Sequence, residues 1–391
     1  MNGELGWVPS READFKQGEK NASSLSDSDV AALKLSMLPG VGPRIMSRLL
    51  EVFGDASSVL AASTERLAAV DGVGKQLLHK IRHVEDYVDV GTIVNWCAVK
   101  GVQLLFHSSD DYPRPLKDLY DPPPVLFAKG SVLPSDRLSV AIVGTRHGTA
   151  YGTRQAERMA YGLAQAGVTV VSGLARGIDA AAHRGALQGG GRTLAFLGSG
   201  LGEIYPSEHV DLVEEVSQSG SVMTEFPPYM KPRAGLFPQR NRLIAAMSAA
   251  TLVIEAPQRS GALITAHLAG ELGRDVLGLP GPVTGRASQG VNSLIRDGAI
   301  LVQTVDDVLE SLGPLAETVS TRDGHQVRHP VELKLNEVER QVLDAVSEGG
   351  VLIDQVIQAS ELPAHRVMAT IGVLEMRRLV RRLPGQQIAR V

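Results

Sequence analysis

The chain has 391 residues and 43% hydrophobic content, enough for two or three domains with buried cores, which excludes a globally disordered protein. A formal net charge of -4 excludes a protein coated in positive charge but leaves room for a local basic patch. The single cysteine, Cys97, excludes an intrachain disulfide and a cysteine metal cluster, and its apolar surroundings (93–99) read as core.

Residues 1–26 are polar and aperiodic, and a disordered tail is expected there. They contain no apolar signal region, and no window approaches eighteen uncharged apolar residues. A cytoplasmic protein without membrane contact is therefore expected. Helical periodicity begins at Ser28-Asp29, read as an N-cap pair, and runs to about Lys100, which predicts a helical domain over 27–108. Within it, LPGVGPRIMSRLLEVFG (38–54) and VDGVGKQLLHKI (70–81) share Gly-Val-Gly followed by an amphipathic helix, a tandem helix-hairpin-helix pattern. Such glycines either present backbone amides to a phosphate, with Arg44 and Lys75 adding charge, or simply let helices pack closely.

A Pro-rich entry segment (110–124) opens a central domain expected over 109–313. There, apolar runs at 138–143, 169–171, 193–197, 221–224, 251–254, 275–279 and 299–302 alternate with helical runs. The alternation predicts an α/β fold with a mostly parallel sheet covered on both faces. Three successive strand-to-helix junctions carry glycine: Gly144-Thr145-Arg146, Ser172-Gly173-Leu174-Ala175-Arg176-Gly177 and Gly198-Ser199-Gly200. In a parallel sheet such junctions lie at the carboxyl edge, where helix N-termini, close backbone amides and arginine forks receive anions. The plainer alternative is that the glycines shape turns and the arginines pair with carboxylates such as Asp179. Phe237-Pro238-Gln239-Arg240-Asn241-Arg242 follows Lys231 and Arg233, so four cations fall within twelve residues beside an aromatic on which a base can stack. Ser260–Ala266 and Gly290–Ile295 each open a further helix, as amide donors or as ordinary caps.

No GxxxxGK[ST], GxGxxG, GxSxG or HExxH occurs, and the histidines lack metal-ligand spacing. His183 and His267 read as core or helix-surface residues, and Asp179 as a helix cap. Phosphate cradles without a nucleophile or base predict a binder: no catalytic residue, no metal and no cofactor. A polar linker is expected at 314–332, then a domain at 333–391 with three helices and a hairpin around Pro384-Gly385, the order of a winged helix. Arg377, Arg378, Arg381 and Arg382 cluster near its wing, as a DNA or protein contact or as a solvated face offset by Glu375.

Taken in order, Val143–Arg146, Ser172–Asp179, Phe237–Arg242, Ser260–Ala266, Leu279-Pro280-Gly281 and Gly290–Ile295 resemble the bacterial DNA-processing family DprA (Smf) over about residues 110–305. The resemblance implies an extended Rossmann fold that binds single-stranded DNA and is not known as an enzyme. It also implies a homodimer through that domain, loading of the recombinase RecA, and a role in natural transformation. By motif position, Arg146, Arg176, Arg240 and Arg242 would contact phosphates, within a contact set of Gly144, Thr145, Ser172, Gly173, Gly177, Phe237 and Asn241. Family members often carry lysine at the Arg176 position. Two other readings compete. One is a nucleotide enzyme of the related phosphoribohydrolase type, from whose PGGxGTxxE pattern Pro280–Gly285 departs at the second glycine and the glutamate. The other is an architectural protein acting through its terminal domains.

Overall fold

Nine strands make one sheet in the computed structural model, which describes residues 25–312, 319–320, 326–327, 332, 335–347, 349–377 and 379–391. The expected tail (1–26) lies outside these residues except for 25–26, and within the expected linker (314–332) the described residues include a short antiparallel ladder, Val319–Ser320 against Gln326–Val327. The strands are β1 (Val102–Phe106), β2 (Val125–Gly130), β3 (Ser139–Val143), β4 (Thr169–Ser172), β5 (Thr193–Phe196), β6 (Ser221–Thr224), β7 (Ala250–Val253), β8 (Asp275–Gly278) and β9 (Ile300–Leu301). β3 to β7 are buried along their whole length, as unbroken apolar runs require. Periodicity does not predict β1 and β2. They flank the Pro-rich segment and pair antiparallel with each other, and β2 pairs antiparallel with β6, extending an otherwise parallel sheet. β1 lies on the helical side of the expected boundary at 108, because Gly101 ends the preceding helix in the left-handed conformation and turns the chain into the sheet.

The strand order is β1-β2-β6-β5-β4-β3-β7-β8-β9. From β3 the chain builds outward through β4, β5 and β6 on one side, then returns to build β7, β8 and β9 on the other. Connections diverge between β3 and β7, and their carboxyl ends flank the crevice where doubly wound sheets take ligands.

The N-terminal helices are α1 (Asp27–Met37), α2 (Pro43–Phe53), α3 (Ala56–Ala61), α4 (Thr64–Ala68), α5 (Lys75–Arg82) and α6 (Val90–Lys100). Ser26, two residues before the expected pair, caps α1: its hydroxyl accepts the Asp29 N–H at 3.1 Å. The two Gly-Val-Gly turns face each other, with Gly40 (φ 106°) against Leu77 of α5 and Gly72 (φ 91°) against Ile45 of α2. The first glycine of each turn thus serves packing. The second ones, Gly42 and Gly74, start α2 and α5 with no side-chain cap and open space beside them, and Arg44 and Lys75 are exposed. The core of these helices continues into the sheet face formed by Val125, Phe127 and Val222.

The central helices are α7 (Arg114–Lys117), α8 (Ala150–Gln165), α9 (Ile178–Gln188), α10 (Val210–Ser219), α11 (Leu236–Met247), α12 (Gly261–Glu271), α13 (Gln289–Arg296) and α14 (Val305–Ser311). The C-terminal unit is α15 (Glu337–Asp344), α16 (Ile353–Ser360) and α17 (Ala364–Met376), followed by the antiparallel hairpin Val380–Leu383 and Gln387–Arg390, a winged-helix order. Among the described residues, no helix is long and apolar enough to cross a membrane, and no group of three or more His, Cys, Asp or Glu is placed to hold a metal.

The loop after β4 is held by two buried histidines. Leu174 adopts φ 53°, costly for a branched side chain. Its N–H reaches His183 Nε2 at 3.4 Å, and its carbonyl lies 2.8 Å from His209 Nδ1. His183 Nδ1 lies 2.7 Å from Thr193 Oγ1, whose own hydroxyl donates to the Val170 carbonyl. Burial, helped by neighbouring His209 and Arg240, drives the His183 pKa down to about 3. An unfolded histidine titrates near ~6.5. Between these values the unfolded chain binds a proton that the folded chain refuses, so the stability due to neutral His183 is complete above that range and is lost as pH falls through it. Thermal melting is expected to drop between pH ~7 and pH ~5, in the window opened by that shift. His183→Gln should flatten the dependence, and an unchanged profile in that variant contradicts the assignment.

Candidate functional site

Where the connections diverge, the segments leaving β3 and β7 are sutured by the Thr145 N–H, which donates to the Glu255 carbonyl at 2.7 Å. Between them opens a cleft of about 760 Å³. Its walls come from the β3 turn, the start of α11, the entry to α12, and the approach to α13. Arg146, Arg259 and Arg286 stand exposed on its rim, and Arg240 and Asn241 form its floor. The Arg146 guanidinium lies over the half-buried Phe237 ring, 4.7 Å from its centroid, so cation and aromatic form one wall.

The floor is a buried polar network. Arg240 Nη1 donates to the Gly173 carbonyl at 2.7 Å and to the Phe196 carbonyl, and Nε donates to Asn241 Oδ1 at 3.2 Å. Asn241 Nδ2 in turn donates to the Gly261 carbonyl at 3.2 Å, tying the floor to the start of α12. A Cβ at Gly173 would sit 2.3 Å from Arg240 Nη1, so glycine there makes room for the guanidinium. Gly177, at φ 74° and close against the Thr145 carbonyl, turns the chain into α9. Asp179 lies in the first turn of α9, not at its cap, which is Gly177. Burial raises the Asp179 pKa, opposed first by Arg240 and also by backbone N–H groups of Ala175 and Gly173 and by Arg146. Burial lowers the Arg240 pKa to about 10, which still leaves a cation at neutral pH.

The cleft gathers some of the expected residues and not others. Gly144, Thr145, Arg146, Phe237, Arg240 and Asn241 line it. Ser172 does not; its buried hydroxyl donates to the Ile142 carbonyl and pins β4 to β3. Gly173 and Gly177 lie behind the wall. Arg240 and Arg242 do not act as a pair, because residues two apart on a helix point about 200° apart. Arg242 faces away, buried, with Nη2 at 2.5 Å from Glu225 and Nε at 3.4 Å from Asp121. Arg176 is exposed but turned from the cleft, its fork on the Glu208 carboxylate. Lys231 and Arg233 are exposed on the loop before α11, outside the lining. Arg377 pairs with Glu339 and Arg382 with Glu375, Arg381 is exposed on the wing, and Arg378 lies outside the described residues. Sequence reasoning missed Arg259 and Arg286, although Arg259 directly precedes the Ser260–Ala266 run.

Comparison with known proteins adds family information. The family model described as DNA recombination-mediator protein A matches residues 103–313, a DprA winged helix domain matches 327–386, and a SAM-like helix-hairpin-helix tandem matches 32–83. The chain is 34% identical over 389 residues to Protein Smf of Synechocystis sp., covering 92% of this chain and 98% of that protein. It is 43% identical over 240 residues to a putative DNA processing protein DprA of Mycobacterium tuberculosis, covering 61% of each. The X-ray structure of DNA processing protein A from Streptococcus pneumoniae superposes with a TM-score of 0.63 at 32% identity, over 74% of this chain and 99% of that one.

Proposed function

Given that the chain belongs to the DprA/Smf family of DNA recombination mediators, we propose that it binds single-stranded DNA in the cleft between β3 and β7. The observation that carries this reading is the cleft itself: three exposed arginines around a floor whose own charges, Arg240 and Asp179, are buried beside each other. Rim cations meet phosphates, and the Phe237 wall meets a base, so binding is independent of sequence and weakens with salt. Extended strands fit such a cleft, whereas a stacked duplex keeps its bases from Phe237.

Family membership further supports action as a homodimer through the central domain, delivery of the strand to RecA, and a place in natural transformation. Among the described residues Asp179 is the one carboxylate lining the cleft, and backbone N–H groups already occupy it. That favours holding over turnover, and we assign no catalytic role.

Gel shifts with single- and double-stranded oligonucleotides at two salt concentrations test the reading. Preferential retardation of the single strand, weakened at the higher salt, is the expected result. Equal or tighter duplex binding contradicts it. Release of free base on incubation with nucleoside monophosphates would instead establish the phosphoribohydrolase reading.

A further inference from the structure

The cleft does not end at Arg146. Beyond the Phe237 ring lies Tyr205, on the loop after β5, with ring centroids 5.7 Å apart. Beyond Tyr205 lies the Arg176 guanidinium, 5.8 Å from its centroid. Arg146, Phe237, Tyr205 and Arg176 thus form a continuous file along the carboxyl edge, two adjacent rings with a guanidinium at each end. Tyr205 is 38% exposed, so part of its ring is open to a ligand.

The far end of the file is occupied by a carboxylate. Glu208 takes the Arg176 fork at two points, with Nη2 donating to Oε2 at 2.9 Å and Nε donating to Oε1. This is the two-point geometry by which a guanidinium also receives phosphate. Arg176 holds the Glu208 carboxyl down to about 2, so the group stays ionised at neutral pH. Both side chains are about half exposed, at 49% and 50%, and exposed ion pairs are weak because water screens them. The Arg242–Glu225 pair, with both side chains below 10% exposed, has no such access.

We propose that the single strand continues from the cleft across Tyr205, which stacks a base, to Arg176, where a phosphate replaces the Glu208 carboxylate. The inference rests on the cleft reading above and on the phosphate contact that the family resemblance implies for Arg176, and it adds Tyr205 as a base platform and Glu208 as a displaceable acidic plug. The plug has a functional consequence: strands too short to reach Arg176 leave the ion pair intact, and longer strands must open it.

Fluorescence anisotropy on the full chain tests this with oligo-dT of about 4 and about 16 nucleotides, the range of single-strand site sizes. Tyr205→Ala should weaken the longer strand about tenfold, the loss expected for one stacked base, and affect the shorter strand less. Tyr205→Phe keeps the ring and should retain affinity. Glu208→Gln removes the competing charge and should tighten the longer strand. Wild-type affinity of Tyr205→Ala for the longer strand, or no gain with Glu208→Gln, overturns the proposal. If Arg146→Ala weakens the shorter strand while both of those variants leave the longer one unchanged, the cleft stands and its extension falls. If Arg146→Ala leaves the shorter strand unaffected, both fall.

Discussion

Arg146→Ala should lower the affinity for oligo-dT by about 10- to 100-fold, the loss of one charge-assisted phosphate contact of about 1.5–3 kcal/mol. Arg146 stands at the end of β3, on the rim of the cleft, with its guanidinium on Phe237. Removing it deletes a phosphate partner and uncovers the ring, so stacking on Phe237 remains while charge contact is lost. The dependence of log K on log salt should accordingly shrink by about one unit. The side chain is exposed, so melting should not change. Affinity and salt slope equal to wild type would remove Arg146 from the interface.

Arg240→Ala should act the other way, through stability. Its guanidinium satisfies the Gly173 and Phe196 carbonyls, bonds Asn241, and is the largest influence favouring ionised Asp179. Truncation strips buried Asp179 of the largest charge opposing its desolvation and removes the donor to the Gly173 and Phe196 carbonyls, a loss of about 1–3 kcal/mol for each buried group left unsatisfied. The loss has a pH signature. Burial already raises the Asp179 pKa, so its ionisation opposes folding as pH rises, and the variant should be least stable at neutral and alkaline pH and recover on acidification. Asp179→Asn in the same chain should restore part of the melting temperature, giving coupling in a double-mutant cycle. Additive effects of the two substitutions would mean that the pair is not a unit.

The two variants separate the roles that the sequence placed together. Apolar runs and glycine junctions made the sheet legible, because strands buried on both faces must be unbroken and their turns must be tight. β1 and β2 were not legible, because a Pro-rich segment separates them and only the four-residue α7, too short for a periodic pattern, lies between. Charge alone did not distinguish Arg146 from Arg242: both follow a motif, but helical geometry turns one of two neighbours, Arg240 and Arg242, away from the cleft. Arg259 and Arg286 escaped notice because the strand order brings the β7 and β8 connections beside β3, a neighbourhood that chain order does not reveal. The Arg176–Glu208 pair likewise joins residues thirty-two positions apart.

Photo-crosslinking of 4-thiothymidine oligonucleotides to the full chain, followed by peptide mapping, tests most directly that the strand lies at the switch point of the sheet. Crosslinks on Phe237 and on the segments 143–147 and 257–262 are the predicted result. Crosslinks confined to the Gly-Val-Gly helices or to the winged-helix unit, with the cleft unlabelled, would contradict it.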